Sequence, residues 1–245
     1  MTLAKPDLSR RRAAFTLVEV LVAVGVLGFA ISGAVVFMVQ AQKTYYYDAS
    51  RLALNGDMRK FTQQMTTNAV FANYFLIYPN FQTRSITTTT GNVTTTVDAN
   101  VNDGMPGDFL VLVSGDTDAV TGKTTVNQLV GYYRDPTDPT SAISTGPVRT
   151  FNVSLSPAVD PTVTPVWSLL NTYVPTTTAH TNPIVIQLAQ GLAGTTSVTG
   201  NTTSNSCLFY NFYDRSVMIK GQIIEQNGLN RKAVNTYNFT VSPRG

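Results

Sequence analysis

From Val20 to Val39 the chain is apolar at nearly every position, and only Ser32 is conventionally polar. At about 1.5 Å of rise per residue such a run crosses a hydrocarbon core of about 30 Å, so the pattern predicts a membrane-spanning helix. The helical spacing continues past the end of the span. Gln40 to Asn73 contains no proline, and Leu54, Met58, Phe61, Met65, Ala69 and Ala72 step by three or four residues. Gln42, Lys43, Asp48, Arg51, Asp57, Arg59, Lys60 and Gln64 fill the other faces, and Pro79 is a stop. One helix from Thr16 to about Phe71 is expected, about 80 Å long. Its first half is apolar all round. Its second half is amphipathic and should lay one stripe on a sheet.

Beyond Asn80 the composition turns to Thr, Asn, Gly, Asp and Pro, with apolar runs of strand length. Residues 82–103 read as a polar hairpin or a loop. Phe109–Val113 reads as a buried strand, and Ser114–Lys123 as a turn leading into a second strand, Val126–Tyr133. Val148–Leu155 is a third strand. Residues 156–182 are proline-rich and read as a long loop with a short helix at Val166–Leu170. Ile184–Ala189 fits a strand or a short helix, and 191–206 a polar loop. Cys207–Tyr213, Ser216–Glu225 and Ala233–Val241 read as closing hairpins. Asn227-Gly228 supplies the positive φ angles that the last turn needs. The fold class is α+β, a long N-terminal helix on an antiparallel sheet. The expected division is a leader at 1–14, a transmembrane and assembly helix at 15–39, its amphipathic continuation at 40–78, and a β-rich head at 80–245.

The isoelectric point near 9 suggests a nucleic-acid partner until the charges are located. Residues 1–14 hold four of the 17 basic groups and one of the 14 acidic ones, so the remainder carries 13 of each and no net charge. The basicity belongs to the leader, and no Lys/Arg run with interleaved aromatics is left to follow a phosphate backbone. No nucleic-acid partner is expected. A single cysteine, Cys207, excludes an intramolecular disulfide, and with one histidine, His180, no Cys/His metal cluster can be assembled.

Arg10, Arg11 and Arg12 stand directly before the apolar run and predict a cytoplasmic N-terminus with the head translocated. A secretory signal has its apolar region ahead of the cleavage site. Here the order is inverted, so a cut at the small pair Ala13-Ala14 would leave the apolar helix in the mature chain. Glu19 is the exception in this pattern, a carboxylate inside the first turns of the span. Such a group costs at least about 2.5 kcal/mol at membrane depth and needs a partner. Two readings are open. Thr16 and Glu19 have the spacing of a capping box, or Glu19 meets a charge from another chain.

The basic leader, the small residue before Phe15, and Phe15-Thr16-Leu17-Val18-Glu19-Val20-Leu21 running into an apolar and then amphipathic helix resemble the type IV pilin and pseudopilin family. The resemblance covers about residues 9–70. It implies that prepilin peptidase cuts between Ala14 and Phe15 and methylates the new amino group of Phe15. It also implies that Glu19 pairs with the N-terminal ammonium of a neighbouring subunit when helices bundle, which sets their register. Two charges that are each costly in an apolar medium become tolerable as a pair. The implied partners are prepilin peptidase, other pilin or pseudopilin subunits, and the assembly machinery of a bacterial inner membrane, with no cofactor. Three features depart from the family pattern. Ala14 stands where glycine is usual, Val36 where many major pilins have proline, and Cys207 has no second cysteine to pair with. The large head, with its loops at 82–103, 156–182 and 191–206, resembles that of a minor pilin or a J-type pseudopilin.

Other chemistry is weaker. Gly115 to Thr124 has the outline of a phosphate loop, but six residues separate its glycines and a strand follows, so a hairpin turn is the better reading. Asp98, Asn100 and Asn102 alternate like calcium ligands, with Asp116 and Asp118 as a second candidate, but Phe109 stands where a bidentate Glu is needed. No Gly-x-Ser-x-Gly elbow is present, and Cys207 suits a small core residue better than a nucleophile. Tyr45-Tyr46-Tyr47 suits an interfacial aromatic belt or the helix–sheet junction. The expected function is a structural subunit and not an enzyme. The alternative is a single-pass anchored binding protein or adhesin that does not polymerise.

Overall fold

The computed structural model describes residues 16–137, 144–194, 206–227 and 231–244. The chain divides into two compact units, Met1–Tyr47 and Asp48–Gly245. Helix α1 spans Leu17–Phe71. In the first unit it is long and apolar enough to cross a membrane, and its large side chains are exposed, from Leu17 and Val18 through Phe29 to Phe37 and Met38. The helix stays regular through Gly25, Gly28 and Gly33, although each glycine lowers helix propensity relative to alanine. Ser32 satisfies its hydroxyl within the helix by donating to the Gly28 carbonyl (2.8 Å), which hides the one polar group of the run from lipid.

In the second unit the expected stripe is buried at Leu54, Phe61, Met65 and Ala69. The Phe61 ring meets Tyr132, Tyr237 and Phe239 edge-on, with centroids 5.9–6.3 Å apart, a favourable aromatic geometry. The helix ends at Phe71. Residues 74–78, expected to belong with its continuation, instead form strand β1 (Tyr74–Tyr78). Asn73 makes the turn, donating its amide to Val113 O (2.8 Å) and accepting Gly115 N on Oδ1 (2.7 Å).

The remaining strands are β2 (Ser85–Thr90), β3 (Val93–Asp98), β4 (Pro106–Gly107), β5 (Phe109–Thr117), β6 (Thr124–Arg134), β7 (Gly146–Val159), β8 (Ile184–Gly191), β9 (Phe209–Phe212), β10 (Ser216–Asn227) and β11 (Arg231–Val241), with helix α2 at Val166–Tyr173. Strands β1, β5, β6, β7, β8 and β10 lie side by side, all antiparallel. Strand β10 pairs with β11 along one edge from Val217 to Asn227. Its other edge is shared, β9 pairing with residues 216–219 and β8 with 221–223. The long helix on this sheet makes the fold α+β.

Both faces of the central strands are covered, which is why β5 reads as an unbroken apolar run rather than an alternating one. Tyr132 faces α1, while its neighbour Tyr133 enters a second core with Phe81, Phe109 and Phe151, closed by Leu169 and Leu170 of α2. Gly131 lets this core close, because a β-carbon there would collide with the Phe151 ring. Gly131→Ala should cost about 1–3 kcal/mol by overpacking, read as a lower urea midpoint at unchanged slope.

Two buried arginines fix the frame. Arg84, 1% exposed, lies over the Phe81 ring at 4.3 Å and donates to Phe81 O, Leu170 O and Val174 O, so it caps the C-terminal end of α2 with positive charge. Burial pulls its guanidinium down to about 10, which still leaves it charged at neutral pH. Arg134 makes a two-pronged contact with Asp108 through Nε and Nη2, and also reaches Ser144 O and Ser206 O. Asp108 further accepts the Leu208 amide at 2.8 Å.

Candidate processing and assembly site

The described part of this site begins at Thr16. Ala14, Phe15 and the arginines Arg10, Arg11 and Arg12 lie outside the described residues. Thr16 and Glu19 form a reciprocal capping box at the start of α1. Glu19 N donates to Thr16 Oγ1 (3.3 Å), while Thr16 N and Thr16 Oγ1 both reach Glu19 Oε2 (2.9 and 3.1 Å). The box satisfies amides that a helix start leaves without partners, and it sets a negative group at the positive end of the helix dipole. The first of the two readings of Glu19 is therefore realised within the single chain. It does not exhaust the residue, since both bonds fall on one carboxylate oxygen and Glu19 is exposed. The flanking Leu17, Val18, Val20 and Leu21 are exposed as well, so the carboxylate stands in an apolar surface with room for another helix.

A positional match decides what kind of N-terminus this is. Residues 9–35 carry the prokaryotic N-terminal methylation motif. That motif is the type IV pilin and pseudopilin signature. It takes in the arginines, the Ala14–Phe15 bond and Glu19, and it ends inside the apolar run. No curated protein and no solved structure matches the chain. The head therefore has to be read from its own geometry.

The head's other candidates are spent on structure. Gly115 to Thr124 is the tip of the β5–β6 hairpin, with residues 118–123 as the turn, Asp118 Oδ1 accepting Val120 N and Thr121 N, and Gly122 at φ +67°. Asp116 accepts from Asn127 Nδ2 at 3.1 Å. The alternating oxygens after β3 do not converge. Asp98 Oδ1 accepts Asn100 N, Asn100 Oδ1 faces Ile77 N, and Asn102 supplies a main-chain oxygen to Met105 N. Among the described residues no group of three or more His, Cys, Asp or Glu side chains is placed to hold a metal ion. Cys207 is fully buried and in no disulfide, and the Gly191 backbone packs against it closely.

Several groups were not legible in the sequence. His180 Nδ1 and Arg149 Nε both contact Asp135 Oδ2, at 2.8 and 2.9 Å, and Arg149 also donates to Asn182 O (2.7 Å). No spacing rule signals this, since the three come from different segments. The same holds for Asp108 and Arg134. Burial drives the Asp108 carboxyl upward and the Arg134 guanidinium opposes that rise. In the aromatic stretch after the span, Tyr45 and Tyr46 are exposed and meet edge-on at 6.0 Å.

Proposed function

We propose that the chain is a prepilin-like structural subunit, cut between Ala14 and Phe15 by prepilin peptidase, N-methylated on Phe15, and assembled through α1 into a type IV pilus or a type II secretion pseudopilus. The observation that carries this reading is the methylation motif at residues 9–35, which runs into an apolar helix whose side chains are exposed. In this reading the arginines hold the N-terminus in the cytoplasm, the inner membrane stores the subunit, and the head faces outward. Glu19, already set in place by Thr16, accepts the methylated ammonium of a neighbouring subunit. Outside an assembly that carboxylate sits at membrane depth without a countercharge, so pairing favours the bundled state. The size of the head supports a minor component over the bulk subunit.

The test is fractionation after shearing in a host with and without its prepilin peptidase. With the peptidase, the processed chain is expected in the sheared filament fraction. Without it, the unprocessed chain should remain in the membrane. Appearance of the uncut chain among sheared filaments, or absence of the processed chain from them, would favour an anchored protein that does not polymerise.

A further inference from the structure

Strand β8 accompanies β7 only from Gly146 to Arg149. The last bond across that edge is Thr150 N to Pro183 O (2.9 Å). Beyond it the two segments part and leave a cleft of about 490 Å³, bounded by α1 on one side and by the segment after α2 on the other. That volume lies within the range of about 300–1,000 Å³ usual for small-ligand sites.

The lining mixes apolar residues, Val130, Val153 and Pro183 among them, with uncharged polar ones. Four carboxamide residues line it, Gln64, Asn68, Asn152 and Asn182, together with Thr150 and Thr178. The rim carries Tyr173, half exposed, while Phe151 and Val174 close the floor. Among the described residues no Asp, Glu, Lys, Arg or His lines the cleft. The polar groups are held in place from behind. Asn68 Nδ2 donates to Tyr132 Oη (2.6 Å), Asn182 Nδ2 to Tyr133 Oη (2.9 Å), and Thr150 Oγ1 to Gly131 O (2.9 Å). Gln128 Nε2 donates to Asn152 Oδ1 (2.8 Å) and leaves the Asn152 amino group to donate elsewhere. A carboxamide has two donors and two acceptor lone pairs, so none of these bonds exhausts its group. The main chain adds to the set. Because Thr150 N points across the open edge, the period-two alternation of a strand turns the amide and carbonyl of Asn152 the same way.

We infer that this cleft binds a short segment of neutral oligosaccharide. An anionic ligand would need a cation or a helix N-terminus, and a cationic one a carboxylate. The cleft has neither. Fixed carboxamides that both donate and accept, with the Thr150 and Thr178 hydroxyls left to accept because each donates to a main-chain carbonyl, match the vicinal hydroxyls of a sugar, and the exposed Tyr173 ring offers a face for its C–H surface. An extended peptide added to the open edge of β7 would use the same Asn152 main-chain groups, but it would leave the remaining donors and acceptors of the carboxamides unmatched wherever it displaced their water, at a cost for each.

The test uses the full chain in lipid nanodiscs free of glycoside detergents. The probes are maltotetraose, cellotetraose and chitotetraose, with tetragalacturonate as the acidic comparison and an alternating Thr/Val heptapeptide as the strand comparison. Binding is followed by ligand-observed NMR. At least one neutral tetrasaccharide should bind, and Tyr173→Ala and Asn152→Ala, both at exposed positions, should each raise its Kd at least tenfold. Tyr173→Phe should bind within threefold of the unaltered chain. Binding of none of the three neutral probes, binding unchanged in both alanine variants, or binding of the peptide or the acidic sugar alone would overturn the inference. None of these outcomes bears on N-terminal processing, so the assembly reading stands or falls separately.

Discussion

Replacing Arg134 by leucine should lower the stability of the head by about 3–5 kcal/mol, which at this size moves its Tm down by roughly 10 °C or more. The size of the effect follows from what is left behind. Arg134 and Asp108 are 1% and 2% exposed, and without the guanidinium Asp108 would be a buried carboxylate held only by the Leu208 amide. Ser144 O and Ser206 O would lose the donor they share. Restoring apolar balance with a second change, Asp108→Leu, should recover only part of the loss, because the Leu208 amide and the two carbonyls then lack partners. A control separates burial from charge. The pair Lys123–Asp160 also joins a cation to a carboxylate, but Lys123 is largely exposed, so Lys123→Ala should leave the thermal midpoint almost unmoved. Calorimetry on the three variants checks the order. Equal shifts for Arg134→Leu and Lys123→Ala would show that burial does not set the worth of these pairs.

The second large effect concerns assembly, and the capping box makes it separable. Glu19→Gln keeps a side chain that can close the box with Thr16 but removes the charge. Thr16→Ala breaks the box but keeps the charge, at about 1 kcal/mol of helix stability. If Glu19 pairs with a neighbouring ammonium, Glu19→Gln and Glu19→Ala should both reduce incorporation into filaments at least tenfold, equivalent to about 1.4 kcal/mol per subunit contact. Thr16→Ala should then assemble nearly as the unaltered chain does. Quantitative blotting of sheared filaments reads all three. Normal incorporation of Glu19→Gln, together with failure of Thr16→Ala, would make Glu19 a helix cap and nothing more.

Much of the architecture was visible in the order of residues because the signals were periodic. The stripe Leu54–Phe61–Met65–Ala69 is buried as spaced, the run Phe109–Val113 is a strand covered on both faces, and the turn at 115–124 is a hairpin rather than a phosphate site. The uncertain stretches were those where period fails. Tyr74–Tyr78 is five apolar residues long, too short to tell strand from helix end. Ile184–Ala189, open between the two, belongs to strand β8, which runs on to Gly191. Residues 85–98 form a threonine ribbon, β2 on β3, with most positions exposed, so no inward-facing residues announced it. At 156–182 the loop is shorter than expected, since β7 runs on to Val159 and α2 to Tyr173.

The sites divide the same way. Glu19 stood out because a carboxylate in an apolar run breaks the pattern, and its capping partner lies three residues away. Arg84, the Asp108–Arg134 pair and the carboxamide cleft did not stand out. Their members lie tens of residues apart and each alone looks like ordinary surface polarity. Gln64, Asn152 and Asn182 meet only because β8 leaves β7 at Arg149.

Mass spectrometry of the mature N-terminus tests the central claim most directly. The account predicts a chain that begins at Phe15 and carries one methyl group on its amino nitrogen. A chain that keeps residues 1–14, or one cut at any other bond, would contradict it.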